Sequence, residues 1–203
     1  MNDLYTAVVH DVKNQLAELA LRLGKRMDAQ HEVAMVMGAA RRLSEMLLVY
    51  QDAENVLQVN TDSVSPEDFL AILAAEYREM FPVLTITVVT DRAPACAFFD
   101  DALVRLALSN ALHNACRHAH TAICVSAYQQ EDRLVFEIVD DGAGFSEEAL
   151  AAQGRVPTAS RGTGTGLGLY LAHKIALRHH LQACRGTIQL SNEPGGCFRM
   201  FLP

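Results

Sequence analysis

At 203 residues the chain has room for one or two small domains, each with a buried core. Half of its residues are hydrophobic, which excludes an intrinsically disordered chain, and a net charge of −7 argues against nucleic-acid binding because phosphates would be repelled. No apolar run approaches the roughly 20 residues of a membrane span, and the first residues lack signal-peptide architecture. A cytoplasmic protein with no membrane span is therefore expected. The five cysteines form no CxxC pair and read as reduced packing thiols.

The first sixty residues predict two helices. Leu4, Val8, Val12, Leu16, Leu19 and Leu23 recur at spacings of three or four, a stripe roughly 120° wide at about 100° per residue. A polar link at 28–31 follows. Then comes a second periodic run: Val33, Val36, Met37, Ala40, Leu43, Leu47 and Tyr50. A short link between two helices predicts an antiparallel hairpin. Its core is too small to stand alone, so a second copy completing a four-helix bundle, a homodimer, is expected.

Beyond about residue 58 the pattern changes. Ser65 and Pro66, with Glu67 and Asp68 behind them, form a helix start running to about Met80. Val83 to Thr90 and Ala95 to Phe99 are β-rich. A helix from Asp100 to His118, with Asp100 or Asp101 as its cap, comes next, then two strands joined by a tight polar turn, Ala122 to Gln129 and Arg133 to Asp140. A loop of about twenty residues leads to a helix from Leu167 to Leu181. Two strands around the turn Glu193-Pro-Gly-Gly196 close the chain. This order predicts an α+β fold: residues 1–58 as the helical hairpin, and residues 59–203 as a sandwich with helices on one face of a mixed sheet.

Three motifs carry chemistry. GTGTGLG, residues 162–168, is glycine-rich and leads into a helix that begins near Leu167. Its backbone can approach a ligand, and the free N–H groups of the helix start favour a phosphate. The spacing fits neither GxGxxG nor the P-loop. DDGAG, residues 140–144, ends a strand; its carboxylate could bond a base, although DG alone marks ordinary turns. Asn110 and Asn114 lie four apart on one helical face, with Arg117 a turn on. An amide carbonyl suits Mg²⁺ and a guanidinium suits phosphate.

Taken in order, SNALHNACRHA, VDDGAG, GTGTGLGLYLA and the terminal GGCFRMFLP resemble the N box, the two glycine boxes and the final strand of the GHKL (Bergerat) ATP-binding domain of two-component sensor histidine kinases. The resemblance implies ATP and Mg²⁺ as ligands. It implies that Asn114 coordinates Mg²⁺, that Asp140 holds the adenine amino group, and that Gly142 and Gly144 shape its turn. Asn110, Arg117, Gly162, Gly164, Gly166, Leu167 and Gly168 would complete the nucleotide site. HDVKNQL, from His10, resembles the phosphoacceptor box of the same family. His10 lies about 180° from the centre of the apolar stripe, facing away from the bundle core.

These matches imply an ATP-dependent protein-histidine kinase. His10, neutral at pH 7 with an ordinary pKa of about 6.5, would attack the γ-phosphate in line. Asp11 would accept a hydrogen bond or proton from the other ring nitrogen. Asn14, on the same helical face, would serve a phosphatase step. The phosphoryl group would pass to an aspartate on a response-regulator receiver domain. Two departures stand out: Gln15 replaces a frequent proline, and the segment 145–165 is short with no phenylalanine box. His10 comes only ten residues into the sequence, so the stimulus is expected from a sensor or input protein in trans. The alternatives are a histidine phosphotransferase with a vestigial pocket, and a GHKL ATPase or serine-kinase regulator that does not use His10.

Overall fold

In a computed structural model, residues 30–54, 57–158 and 166–203 are described, and the chain divides into two compact units, 1–57 and 58–203. The first predicted helix, with His10, Asp11 and Asn14, lies outside the described residues, as do Gly162 and Gly164. The second is α1, Gln30–Ala53. Its residues Val36, Ala40, Leu43, Leu47 and Tyr50 are half-buried, and none is fully covered. No helix among the described residues is long and apolar enough to cross a membrane.

The second unit runs β1 (Asp62–Val64), α2 (Pro66–Met80), β2 (Thr85–Arg92), β3 (Ala97–Phe99), α3 (Asp101–His118), β4 (Ala122–Gln130), β5 (Arg133–Asp140), α4 (Glu147–Ala152), α5 (Leu167–Arg178), β6 (His180–Leu181), β7 (Cys184–Arg185), β8 (Thr187–Asn192) and β9 (Gly196–Leu202). It is the expected α+β sandwich. Five strands form one sheet in the order β2-β4-β5-β9-β8. The β2–β4 pair is parallel and the rest antiparallel, so the sheet is mixed. The two predicted caps close α2 and α3: Ser65 Oγ accepts the Asp68 N–H at 3.2 Å, and Asp100 Oδ1 accepts the Leu103 N–H at 3.0 Å.

One face of the sheet holds the core. Phe136 on β5 meets Phe99 edge-on, with centroids 5.5 Å apart, and Phe69 of α2 at 5.7 Å. The register sets Ala127 and Met200 beside Phe136, and Val125 and Phe198 beside Ile138. All of these are buried, together with Leu70 and Leu73 of α2, Leu108 and Leu112 of α3, and Leu171 and Ile175 of α5. Each such side chain contributes about 1.5–3 kcal/mol. Side chains alternate along a strand, so Asp140 falls on the same face as Phe136 and Ile138. The core layer thus delivers a carboxylate to its own rim. The opposite face carries Glu137, paired with Arg199 and 3.4 Å from the Tyr128 hydroxyl.

Helix α5 stops at Arg178, three residues short of the expected end. His179 is buried rather than solvated, with 3% of its surface exposed. Its Nδ1 donates to the Ile175 carbonyl at 2.8 Å, and its Nε2 accepts the Asp100 backbone N–H at 3.1 Å. Asp100 Oδ2 in turn accepts the Asn60 N–H at 2.9 Å. Both ring nitrogens are committed, so the ring is held neutral, and burial lowers its pKa below the usual histidine value.

Candidate nucleotide site

Helix α3 organises the site because Gly168 meets its middle and Gly142 its C-terminal end. Asn110, Asn114 and Arg117 follow one face. Asn110 is buried at 8% exposure, Asn114 half-buried and Arg117 exposed. Neither the oxygen nor the nitrogen of the Asn110 amide has a hydrogen-bond partner among the described residues. Leaving a buried polar group unmet costs about 1–3 kcal/mol.

The start of α5 lies against that amide. A Cβ at Gly168 would stand 3.4 Å from the Asn110 Cβ and 3.8 Å from its Nδ2. Gly166 caps the helix in the left-handed region, at φ 68°, with no side-chain hydrogen bond to the first N–H groups. Leu167 opens the helix and is half-buried. A glycine-started helix and an amide without a described partner thus converge. That combination suits an anionic, oxygen-rich ligand and its cation.

At the C-terminal end, the β5 turn packs under the last carbonyls of α3. A Cβ at Gly142 would come 2.1 Å from the His118 carbonyl oxygen, so this position admits only glycine. Asp140 is 7% exposed. Its Oδ1 accepts the N–H of Gly142 at 2.8 Å and of Gly196 at 3.3 Å. No described residue hydrogen-bonds Oδ2. A side chain at Gly196 would press on that oxygen, since its Cβ would lie 2.5 Å away. Gly144 sits at φ +77° against the Asn192 amide.

The neighbouring acid does a different job. Asp141 accepts the N–H groups of His120 at 2.8 Å, Thr121 at 3.0 Å and Ala122 at 3.1 Å, as well as the Thr121 hydroxyl. The Thr121 hydroxyl and backbone bonds hold its carboxyl far below the usual range. Asp141 ties the start of β4 to the end of β5.

Two functional-looking residues escaped the sequence. Asn192, at the end of β8, accepts the Phe145 N–H through Oδ1 and donates Nδ2 to the Phe145 carbonyl, both at 2.8 Å. Gln153 makes the same double contact with Leu190: its Oε1 accepts the N–H at 2.7 Å and its Nε2 donates to the carbonyl at 2.9 Å. An isolated Asn or Gln carries no pattern that would betray such pairing. The buried Cys116 thiol is pushed up to about 12 by desolvation and is inert at neutral pH.

The fold and site define an α+β sandwich with a carboxylate turn at the C-terminal end, and a glycine-started helix against the middle, of one amide-bearing helix. Residues 99–203, just over half of the chain, match the histidine kinase-, DNA gyrase B-, and HSP90-like ATPases, and the chain belongs to this family. It is 31% identical over 143 residues to the nisin biosynthesis sensor protein NisK of Lactococcus lactis subsp. lactis, covering 66% of the chain and 31% of that protein. Against the sensor histidine kinase ZraS of Escherichia coli (strain K12) identity is 25% over the whole chain and 45% of that protein. The chain thus spans less than half the length of these relatives. Among solved structures, the Acinetobacter baumannii histidine kinase AdeS aligns with a TM-score of 0.66 at 18% identity, over 85% of this chain and 82% of that one. Full-length ShkA, solved in complex with AMPPNP, aligns at 0.71 and 17% identity, over all of this chain and 46% of that one. These structures share its fold.

Proposed function

We propose that this chain is an ATP-dependent protein-histidine kinase, with residues 1–58 as the dimerising, phosphoaccepting hairpin and 59–203 as the catalytic domain. The observation that carries the proposal is the Asn110 amide, buried without a described partner beside the glycine start of α5. Such an amide is satisfied by a phosphate oxygen or a hydrated cation. The Asp140 turn at the far end of α3 offers a carboxylate oxygen for the adenine amino group. In this reading Asn110, Arg117, Gly162, Gly164, Gly166, Leu167 and Gly168 surround the phosphates, and Asp140, Gly142 and Gly144 the base. Asn114, half-buried one turn from Asn110, would hold Mg²⁺ through its carbonyl. When bound, the cation neutralises charge on the phosphates.

His10 would act as nucleophile, Asp11 would orient its ring, and Asn14 would position water for dephosphorylating the regulator; all three roles rest on sequence. The half-buried apolar stripe on α1 supports a homodimer. Its partners would be a receiver domain and, in trans, a sensor or input protein, all in the cytoplasm. Incubation with γ-labelled ATP and Mg²⁺ tests the reading. The expected label is acid-labile and alkali-stable, and is absent from His10→Gln. Acid-stable label, or label retained without His10, overturns it.

A further inference from the structure

Resting on the nucleotide reading above, we infer that Asn192 is a positioning residue for the adenine end of the pocket, holding the turn after Asp140 in its binding shape before nucleotide arrives. The turn 140–145 is pinned on two sides. Asp141 fastens one side to the backbone of His120, Thr121 and Ala122. On the other side, the described hydrogen bonds of 143–145 are the two that Asn192 makes to Phe145. The amide does for Phe145 what an antiparallel strand neighbour would do, engaging its N–H and its C=O together.

The contact is also steric. Gly144 occupies the left-handed region, and its missing Cβ would fall 2.6 Å from the Asn192 Cγ and Oδ1 and 2.8 Å from Nδ2. The amide therefore lies flat on the Gly144 backbone, which only glycine permits. Asn192 and Gly196 begin and end the same β8–β9 turn, and Gly196 donates its N–H to Asp140 Oδ1. One turn thus holds both the carboxylate and the loop that follows it. A pocket ordered in advance does not spend binding energy on ordering itself when the ligand binds.

Gln153 supplies the internal control. It makes an equivalent two-bond contact with β8 at Leu190, eight residues beyond Phe145 and outside the Asp140 turn. It sits at φ 48°, which Asn tolerates, and Asn is too short to keep both bonds.

The experiment uses the full chain. Mg-ATP binding is measured by calorimetry, and autophosphorylation KM and kcat by label, for wild type, Asn192→Ala, Asn192→Ser and Gln153→Asn. The expected result is a KM and Kd raised roughly fivefold in both Asn192 variants, in keeping with two exposed neutral hydrogen bonds, with kcat retained. Gln153→Asn should melt earlier and keep its KM. A lower melting temperature with unchanged KM in the Asn192 variants, or an equal KM rise in Gln153→Asn, overturns the inference. If Asn192→Ala does not fold, Asn192→Ser decides by the same criteria. Failure of wild type to bind Mg-ATP instead overturns the nucleotide reading itself.

Discussion

The C-terminal end and the middle of α3 are finished in opposite ways. At its C-terminal end both Asp141 carboxylate oxygens, Asp140 Oδ1 and both backbone groups of Phe145 are engaged, while Asp140 Oδ2 has no described hydrogen-bond partner. Near its middle, Asn110 is as deeply buried as Asp140 yet has no described partner at all. The C-terminal end is closed by the protein's own groups, whereas the middle keeps an amide with no described partner. Under the proposed nucleotide reading, the closed region would select the base and the unmet amide would gain most from the triphosphate.

The largest expected effect comes from crowding the finished end. Gly142→Ala puts a methyl 2.1 Å from the His118 carbonyl and should cost about 3 kcal/mol of stability, measured by urea unfolding. Gly168→Ala, with 3.4 Å of room, should cost about 1 kcal/mol or less. Equal costs would erase the contrast between the two regions. Next, Asp140→Asn keeps the shape and removes the charge; it should weaken Mg-ATP binding by about 2 kcal/mol, read by calorimetry. An unchanged Kd would remove Asp140 from the base site.

Asn110→Leu sharpens the comparison from the other region. It removes two unsatisfied atoms and keeps the branched shape, so the nucleotide-free protein should gain about 1 kcal/mol while autophosphorylation falls. A destabilised variant would mean that Asn110 is satisfied within the fold. The smallest effect concerns pH. His179 has a folded pKa below its unfolded value, so the unfolded chain binds more protons between the two. Its stabilisation is present above about pH 6.5 and is lost as pH falls from there towards the folded pKa. Melting curves at pH 7.5 and 5.5 should show a smaller acid loss in His179→Gln than in wild type.

Much of this was legible locally. Ser65-Pro66 and Asp100 announced their helices because capping is a contact between residues three apart. The strand pair around residues 130–133 was readable from alternation and a polar turn. β1 was not, because Asp62–Val64 pairs with Ala97–Phe99 across more than thirty residues and is only three long. The short helix α4 was hidden inside an apparent loop, although Ser146 caps it through the Ala149 N–H at 3.3 Å. The burial of His179 was not legible either, because its partner Asp100 stands 79 residues away.

By itself, the sequence determined the sandwich class, the order of the longer elements and the motifs that name Asn110, Asn114, Asp140 and the glycine start of α5. Those signals depend on spacing, caps and turn residues, which act within a few positions of the chain. Only the tertiary structure decided how the two adjacent acids differ in their partners. Asp140 continues the core face of β5, whereas Asp141, one residue on, points to the other side and is consumed by the start of β4. It also decided that Asn110 is buried without a described partner and that Asn192 clamps Phe145. Burial and long-range pairing belong to the assembled layers, and no local pattern encodes them.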